Sequence, residues 1–244
     1  MARVTDVFVS GSVAHLVLYR RMGKNCSRIK RSHINQTVAT RARGVNFGIA
    51  ARAGKCLRYG LKAVIPLTTD RRMQSRFSGA IAKWLGQSAI DDLPACDVVP
   101  YLSNFQFTTG YTFKERFKVP VSVGQPQEGL ITVSIDAFVP ALQIAAPAGT
   151  VLVKLVVSVT GCLLKSSSIT GSETHTIDIP FNDIEVPAQV QDFHIPTPPG
   201  SLTVTATRLM YIGQGHYGLS ETDLPAFMPA GVIDGRYSGV ETLI

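Results

Sequence analysis

The chain has 244 residues, 45% of them hydrophobic, and a formal net charge of +7, which supplies a real core and excludes a globally disordered chain. The net value hides a partition: residues 1–90 hold 17 Lys and Arg against two acids, a net of +15, whereas residues 91–244 hold seven bases against 15 acids, a net of −8. Between residues 7 and 69 there are 12 Lys and Arg and no acid, a bias that calls for an anionic partner: nucleic acid, a membrane surface, or the acidic half of a second copy.

A small β-meander is expected first. Val4 to Val9 is an apolar-rich run, Ser10-Gly11-Ser12 reads as a turn, and Val13 to Arg20 is a second strand; Met22-Gly23-Lys24-Asn25 supplies the next reversal and Cys26 to Arg31 returns. Strand side chains alternate, so Arg20, Arg28 and Lys30 share a parity and are expected to line one face, with Leu16 and Leu18 on the parity of Arg20. Next, Val38, Ala42, Val45, Ile49, Ala53, Leu57, Leu61 and Val64 recur at steps of three and four, the apolar stripe of a helix that ends before Pro66. Glycines at 44, 48, 54 and 60 interrupt it, each at roughly 1 kcal/mol relative to Ala; they predict either close approach to another element or a break. A second helix, capped by Asp70, is expected through Met73, Phe77, Ile81 and Leu85 to Gly86 or Ser88.

Past Asp91-Asp92-Leu93-Pro94 the composition changes. Runs rich in Val, Ile, Phe and Thr at 104–108, 112–123, 130–138, 151–164, 174–179 and 201–212, punctuated by Gly and Pro, predict an antiparallel β-sandwich. The continuously apolar run 151–164 is expected at its centre. The expected class is therefore α+β: a basic β-meander with a helical hairpin over 1–90, an acidic β-sandwich over 91–217, and an extended arm over 218–244 that needs another surface to lie on.

The pattern Gly11-Ser-Val-x-x-Leu-Val-x-Tyr19-Arg-x-x-Gly23-Lys24, followed by a basic return strand and a helix with Gln36, Arg41, Phe47 and Ala50, resembles a group of uncharacterised proteins of about this length from Bacteroidota. The resemblance covers residues 8–65 and implies a basic amino-terminal region ahead of a β-rich remainder; it implies no activity. The group commonly carries a glycine or another small residue near position 14, which is Ala14 here.

The sequence holds no nucleophile elbow, zinc-protease pair or phosphate loop. Its histidines, His15, His33, His175, His194 and His216, lie at least 18 residues apart and form no metal-binding i, i+4 pair. Cys26, Cys56, Cys96 and Cys162 lack zinc spacing and read as reduced, packed thiols. Asp178, Asp183 and Glu185 lack calcium-loop spacing and read as an acidic rim or a dock for a basic partner. No cofactor is expected. No apolar run approaches the roughly 20 residues that span a bilayer, and the opening lacks the blocks of an export signal, so synthesis in the cytoplasm is expected, with release as part of a particle compatible. The candidate contacts are Arg20, Arg21, Lys24, Arg28, Lys30, Arg31, Arg41 and Arg43. They suit a non-enzymatic structural subunit whose basic module meets the acidic half of the next copy, head to tail, in a filament, tube or particle. The alternative is nucleic-acid binding by the same residues, with Tyr19, Phe47 and Tyr59 as stacking groups.

Overall fold

Alternation and turn chemistry build the first part of the chain. The computed structural model describes residues 3–5, 8–30, 36–67, 72–86, 99–215, 218–221 and 228–239, and the chain divides into two compact units, Met1–Ala42 and Arg43–Ile244. The first holds a four-stranded antiparallel sheet in sequential order, β1 (Arg3–Thr5), β2 (Phe8–Val13), β3 (Leu16–Arg21) and β4 (Lys24–Ile29). The β3–β4 hairpin runs in register from Leu16 opposite Ile29 to Arg21 opposite Lys24. It closes through Met22 and Gly23, both left-handed at φ +50 and +78, which matches the twist of the flanking strands. The first reversal differs from expectation. Ser10-Gly11-Ser12 lies in β2, with Gly11 opposite Leu18 and Ser12 opposite Val17, and the turn falls at Ala14-His15. Gly11 takes φ +118 within the strand, a backbone setting that glycine adopts at a strand irregularity. Ala14 sits at φ +49, a left-handed conformation that favours glycine.

Thr37 caps the first helix, α1 (Val38–Gly60), its Oγ1 accepting from the Thr40 N–H at 3.2 Å. A 3-10 turn, Leu61–Ala63, ends the helical stretch before Pro66, as the stripe predicts. Helix α2 (Met73–Leu85) buries Met73, Phe77, Ile81 and Leu85, again as expected, while the capping role assigned to Asp70 lies outside the described residues.

The second unit adds α3 (Phe113–Arg116), β5 (Val121–Val123), β6 (Leu130–Ile135), α4 (Pro140–Gln143), β7 (Thr150–Leu163), β8 (Ser168–Pro180), β9 (Gln189–His194), β10 (Ser201–Gly215), β11 (Gly218–Glu221) and β12 (Ala230–Tyr237). A five-stranded antiparallel sheet runs β8-β7-β10, with β11 and β12 both on the far side of β10; β5-β6-β9 form a three-stranded antiparallel sheet. The coarse expectation, an α+β chain with an amino-terminal sheet, helices and further antiparallel sheets, holds.

Alternation in β7 and β10 creates two cores. Val156, Cys162, Leu202, Val204 and Ala206 face one way, into a cluster with Leu57, Phe77 and Trp84 of the helices. Val153, Leu155, Val157, Val159, Leu209 and Tyr211 face the other way, against Ile131, Val133, Ile135 and Phe193 of the small sheet. Strand β7 is buried on both faces, which is why its sequence is continuously apolar. Arg236 ties the sheets together: its guanidinium donates to the carbonyls of Val123 at 2.7 Å and Gly124 at 2.8 Å and pairs with Asp234 at 2.6 Å.

Packing divides the chain differently from charge. The helices share a core with the large sheet, so the basic stretch from Arg43 onward belongs to the second unit; charge marks surfaces, whereas apolar faces decide which elements stay together. The expected arm 218–244 instead supplies β11 and β12, and the surface it needs is β10 of its own chain. Within the expected strand 112–123, Thr112 and Glu115 form a capping box, Glu115 N to Thr112 Oγ1 at 3.2 Å and Thr112 N to Glu115 Oε2 at 2.7 Å, and open α3. Among the described residues, no helix is long and apolar enough to cross a membrane.

Candidate interaction surface

The strand register sorts the basic side chains. Residues directly opposite in an antiparallel pair share a face, so Val17 opposite Arg28, Tyr19 opposite Cys26, and Arg21 opposite Lys24 define one face of the amino-terminal sheet. Lys30 continues it, its N–H donating to the His15 carbonyl at 2.6 Å. The opposite face carries Leu16 opposite Ile29 and Val13, then Leu18 opposite Ser27 and Gly11. Arg20 falls on this apolar face, opposite Asn25, and its Nε donates to the Gly23 carbonyl at 3.1 Å. The parity argument that grouped Arg20 with Arg28 and Lys30 is thereby corrected: Arg21, Lys24, Arg28 and Lys30 come together and Arg20 does not. The two-residue loop between Arg21 and Lys24 joins odd positions of β3 to even positions of β4, which reverses the count. Arg31 lies outside the described residues.

From residue 10 to residue 48 no described side chain is buried; the first is Ile49. Ile29 is 73% exposed and Val13 45%. Arg21 and Lys24 stand directly opposite each other with like charge, an arrangement that costs free energy unless an anion lies nearby. Helix α1 continues the theme. Its stripe is buried from Ile49 through Ala53 and Leu57, whereas Val38 and Val45 are exposed. Arg41 lies between those two valines on the stripe, and Arg43, two positions on, points elsewhere on the helix. Farther along, Arg58 Nη1 donates to Ser78 Oγ of α2 at 3.4 Å, and burial lowers its pKa.

The second unit offers the opposite charge. From residue 166 to residue 207 there are five acids and no Lys or Arg. Strand β8 carries two of these acids. Glu173 Oε2 accepts from the His194 N–H of β9 at 2.8 Å, and Asp178 makes an exposed pair with Lys154 at 3.4 Å. Asp183 and Glu185, both exposed, lie on the β8–β9 connection. Among the described residues, no three His, Cys, Asp or Glu side chains gather as a metal site.

Other chemistry is sparse. Cys56 on α1 lies beside Cys162 of β7, Cys26 is half-buried on β4, and Cys96, His33 and His216 lie outside the described residues. His175 Nδ1 is 2.9 Å from Gln191 Oε1 and its ring stacks near Phe193, a structural setting. An open cleft of about 450 Å³ is walled by Arg76, Lys83, Tyr101 and Phe105, a cationic and aromatic lining without an acid or a nucleophile. Comparison with protein-family models, curated proteins and solved structures found no match.

Proposed function

We propose that the protein is a non-enzymatic structural subunit that assembles head to tail with copies of itself, through its basic amino-terminal sheet and the acidic surface of the second unit, into a filament, tube or particle. The observation that carries this reading is the unburied amino-terminal sheet, with no described side chain buried between residues 10 and 48. A small sheet with both faces in water is marginal by itself. Covering Val13, Leu16, Leu18 and Ile29 supplies on the order of several kcal/mol at roughly 1.5–3 kcal/mol per fully buried side chain. The opposite face gathers Arg21, Lys24, Arg28 and Lys30, and an acidic neighbour complements it. We read the two sheets around the second core as a β-sandwich that displays those acids, and the likeness of residues 8–65 to the Bacteroidota group as kinship of the amino-terminal region.

Light scattering at low salt tests the reading. The wild-type chain is expected to form large species that shrink as salt screens the contact, and a variant with Glu at Arg21, Lys24, Arg28 and Lys30 is expected to stay monomeric with the melting of the second unit unchanged. A wild-type chain that remains monomeric at high concentration and low salt sinks it. One observation favours a second reading: Tyr19 shares the face of Arg21, Lys24 and Arg28, a stacking group among phosphate-binding cations. Single-stranded nucleic acid would then bind with an affinity that falls by roughly three powers of the salt concentration for four phosphate contacts.

A further inference from the structure

Two strands end their sheets with no partner strand on one side among the described residues, and they carry opposite charge. Strand β4 closes the amino-terminal sheet and β8 closes the large one. Beyond their ladders to β3 and β7, no backbone hydrogen bond joins residues 24–29 or 168–179 to any other described residue. We infer that β4 of one copy pairs through its main chain with β8 of the next, joining a four-stranded sheet to a five-stranded one. This rests on the reading of the protein as a self-assembling subunit.

Strand β8 is built unlike a protected edge. It runs 13 residues, about twice the usual strand length, and holds neither Lys nor a proline before its last residue, Pro180; those are the usual means of blunting an edge. Its one irregularity lies near its start, opposite Gly161 and Cys162, so Gly171 to Ile179 is regular. Strand β9, the neighbouring edge, is partly closed, because the Glu173 carboxylate takes its His194 N–H. Charge then chooses the pairing. Strand β4 and the residue after it present Lys24, Arg28 and Lys30 on one face without an acid, and β8, with no Lys or Arg, carries Asp178 on one face and Glu173, which takes the His194 N–H, on the other. Two β4 edges repel, two β8 edges repel, and β4 with β8 attracts. A contact between unlike surfaces does not close on itself as a twofold contact does, so it propagates from copy to copy.

Native Cys26 on β4 provides the probe. A single cysteine is walked along residues 170–178 of the full-length chain, and each variant is oxidised under assembling conditions and run on a non-reducing gel. The expected result is a ladder of intermolecular disulfides confined to alternate positions of β8 and lost with Cys26→Ser. Assembly by light scattering without any such crosslink, crosslinks that survive Cys26→Ser, or a product at monomer mass would each overturn the pairing while leaving self-assembly standing; a chain that never assembles removes both. A charge exchange provides the second measurement. Arg28→Glu with Lys30→Glu, and separately Glu173→Lys with Asp178→Lys, are each expected to lose assembly at least tenfold in concentration dependence, and an equal mixture of the two is expected to regain it. A mixture as inactive as its components counts against the pairing.

Discussion

Two groups in the second unit are held in their protonated forms by their surroundings. The Cys162 thiol is pushed above its ordinary value of 9.0, first by burial and then by the neighbouring Cys56 thiol. The Tyr211 hydroxyl donates to the Ala145 carbonyl at 3.1 Å, and burial raises it above its ordinary 10.0 despite the opposing charge of Arg116. In the unfolded chain both groups lose their protons first as pH rises. Stability is therefore intact below the unfolded values and falls as pH climbs past about 9 for the thiol and about 10 for the phenol, by up to roughly 1.4 kcal/mol per pH unit for each group until the folded forms titrate. Urea unfolding of Cys162→Ala and of Tyr211→Phe is expected to show a shallower loss of stability than wild type between about pH 9 and pH 11. The slope is the readout, because removing either group also lowers the level. Slopes equal to wild type would show that neither group is coupled to folding.

The glycines of α1 separate into two kinds at the scale of the element. A Cβ on Gly54 would lie 2.8 Å from Ser78 Oγ of α2, and one on Gly60 would strike the Thr160 side chain of β7, whereas Gly44 and Gly48 meet nothing within 4 Å. The first pair lets the helix touch a helix and a sheet; the second pair only weakens it. Gly60→Ala is expected to cost about 1–3 kcal/mol in urea unfolding, with much of the loss recovered by adding Thr160→Ala, while Gly44→Ala is expected to be neutral or stabilising by up to about 1 kcal/mol. A destabilising Gly44→Ala would reverse this assignment. The sequence carried the apolar stripe of α1, the body of α2 and the long strands β7 and β10, because their periodicity repeats over many residues. The capping box of Thr112 and Glu115 and the two-residue loop Met22-Gly23 were equally legible, and reading them correctly yields α3 and the true basic face. Strands β9 and β12 were not legible. Phe193 is the one fully buried side chain of β9, and β12 carries two glycines and the Asp234–Arg236 pair; their pairing with β6 and β10 sets their form, not their own pattern. The open sides of β4 and β8 are likewise properties of sheet order.

The chain has a well-packed second unit and an amino-terminal sheet in which no described side chain is buried. Hydrogen exchange reports that contrast directly. In dilute monomer, the amides of β2 to β4 are expected to exchange quickly while those of β7 and β10 stay protected; above the concentration of assembly, β2 to β4 and β8 are expected to slow together. Strong protection of β2 to β4 in the monomer would mean that the sheet needs no partner. The contact between Trp84 of α2 and Tyr237 of β12, with ring centroids 5.1 Å apart, adds a constraint in time. A ribosome extends the chain at about 5–20 residues per second, so the indole waits on the order of ten seconds for the ring that covers it, and β10 emerges before β12 can shield its flank. The amino-terminal sheet, made first from neighbouring strands, is already available during that interval. In the proposed assembly, the basic end of a nascent chain would be the first part able to meet a finished neighbour.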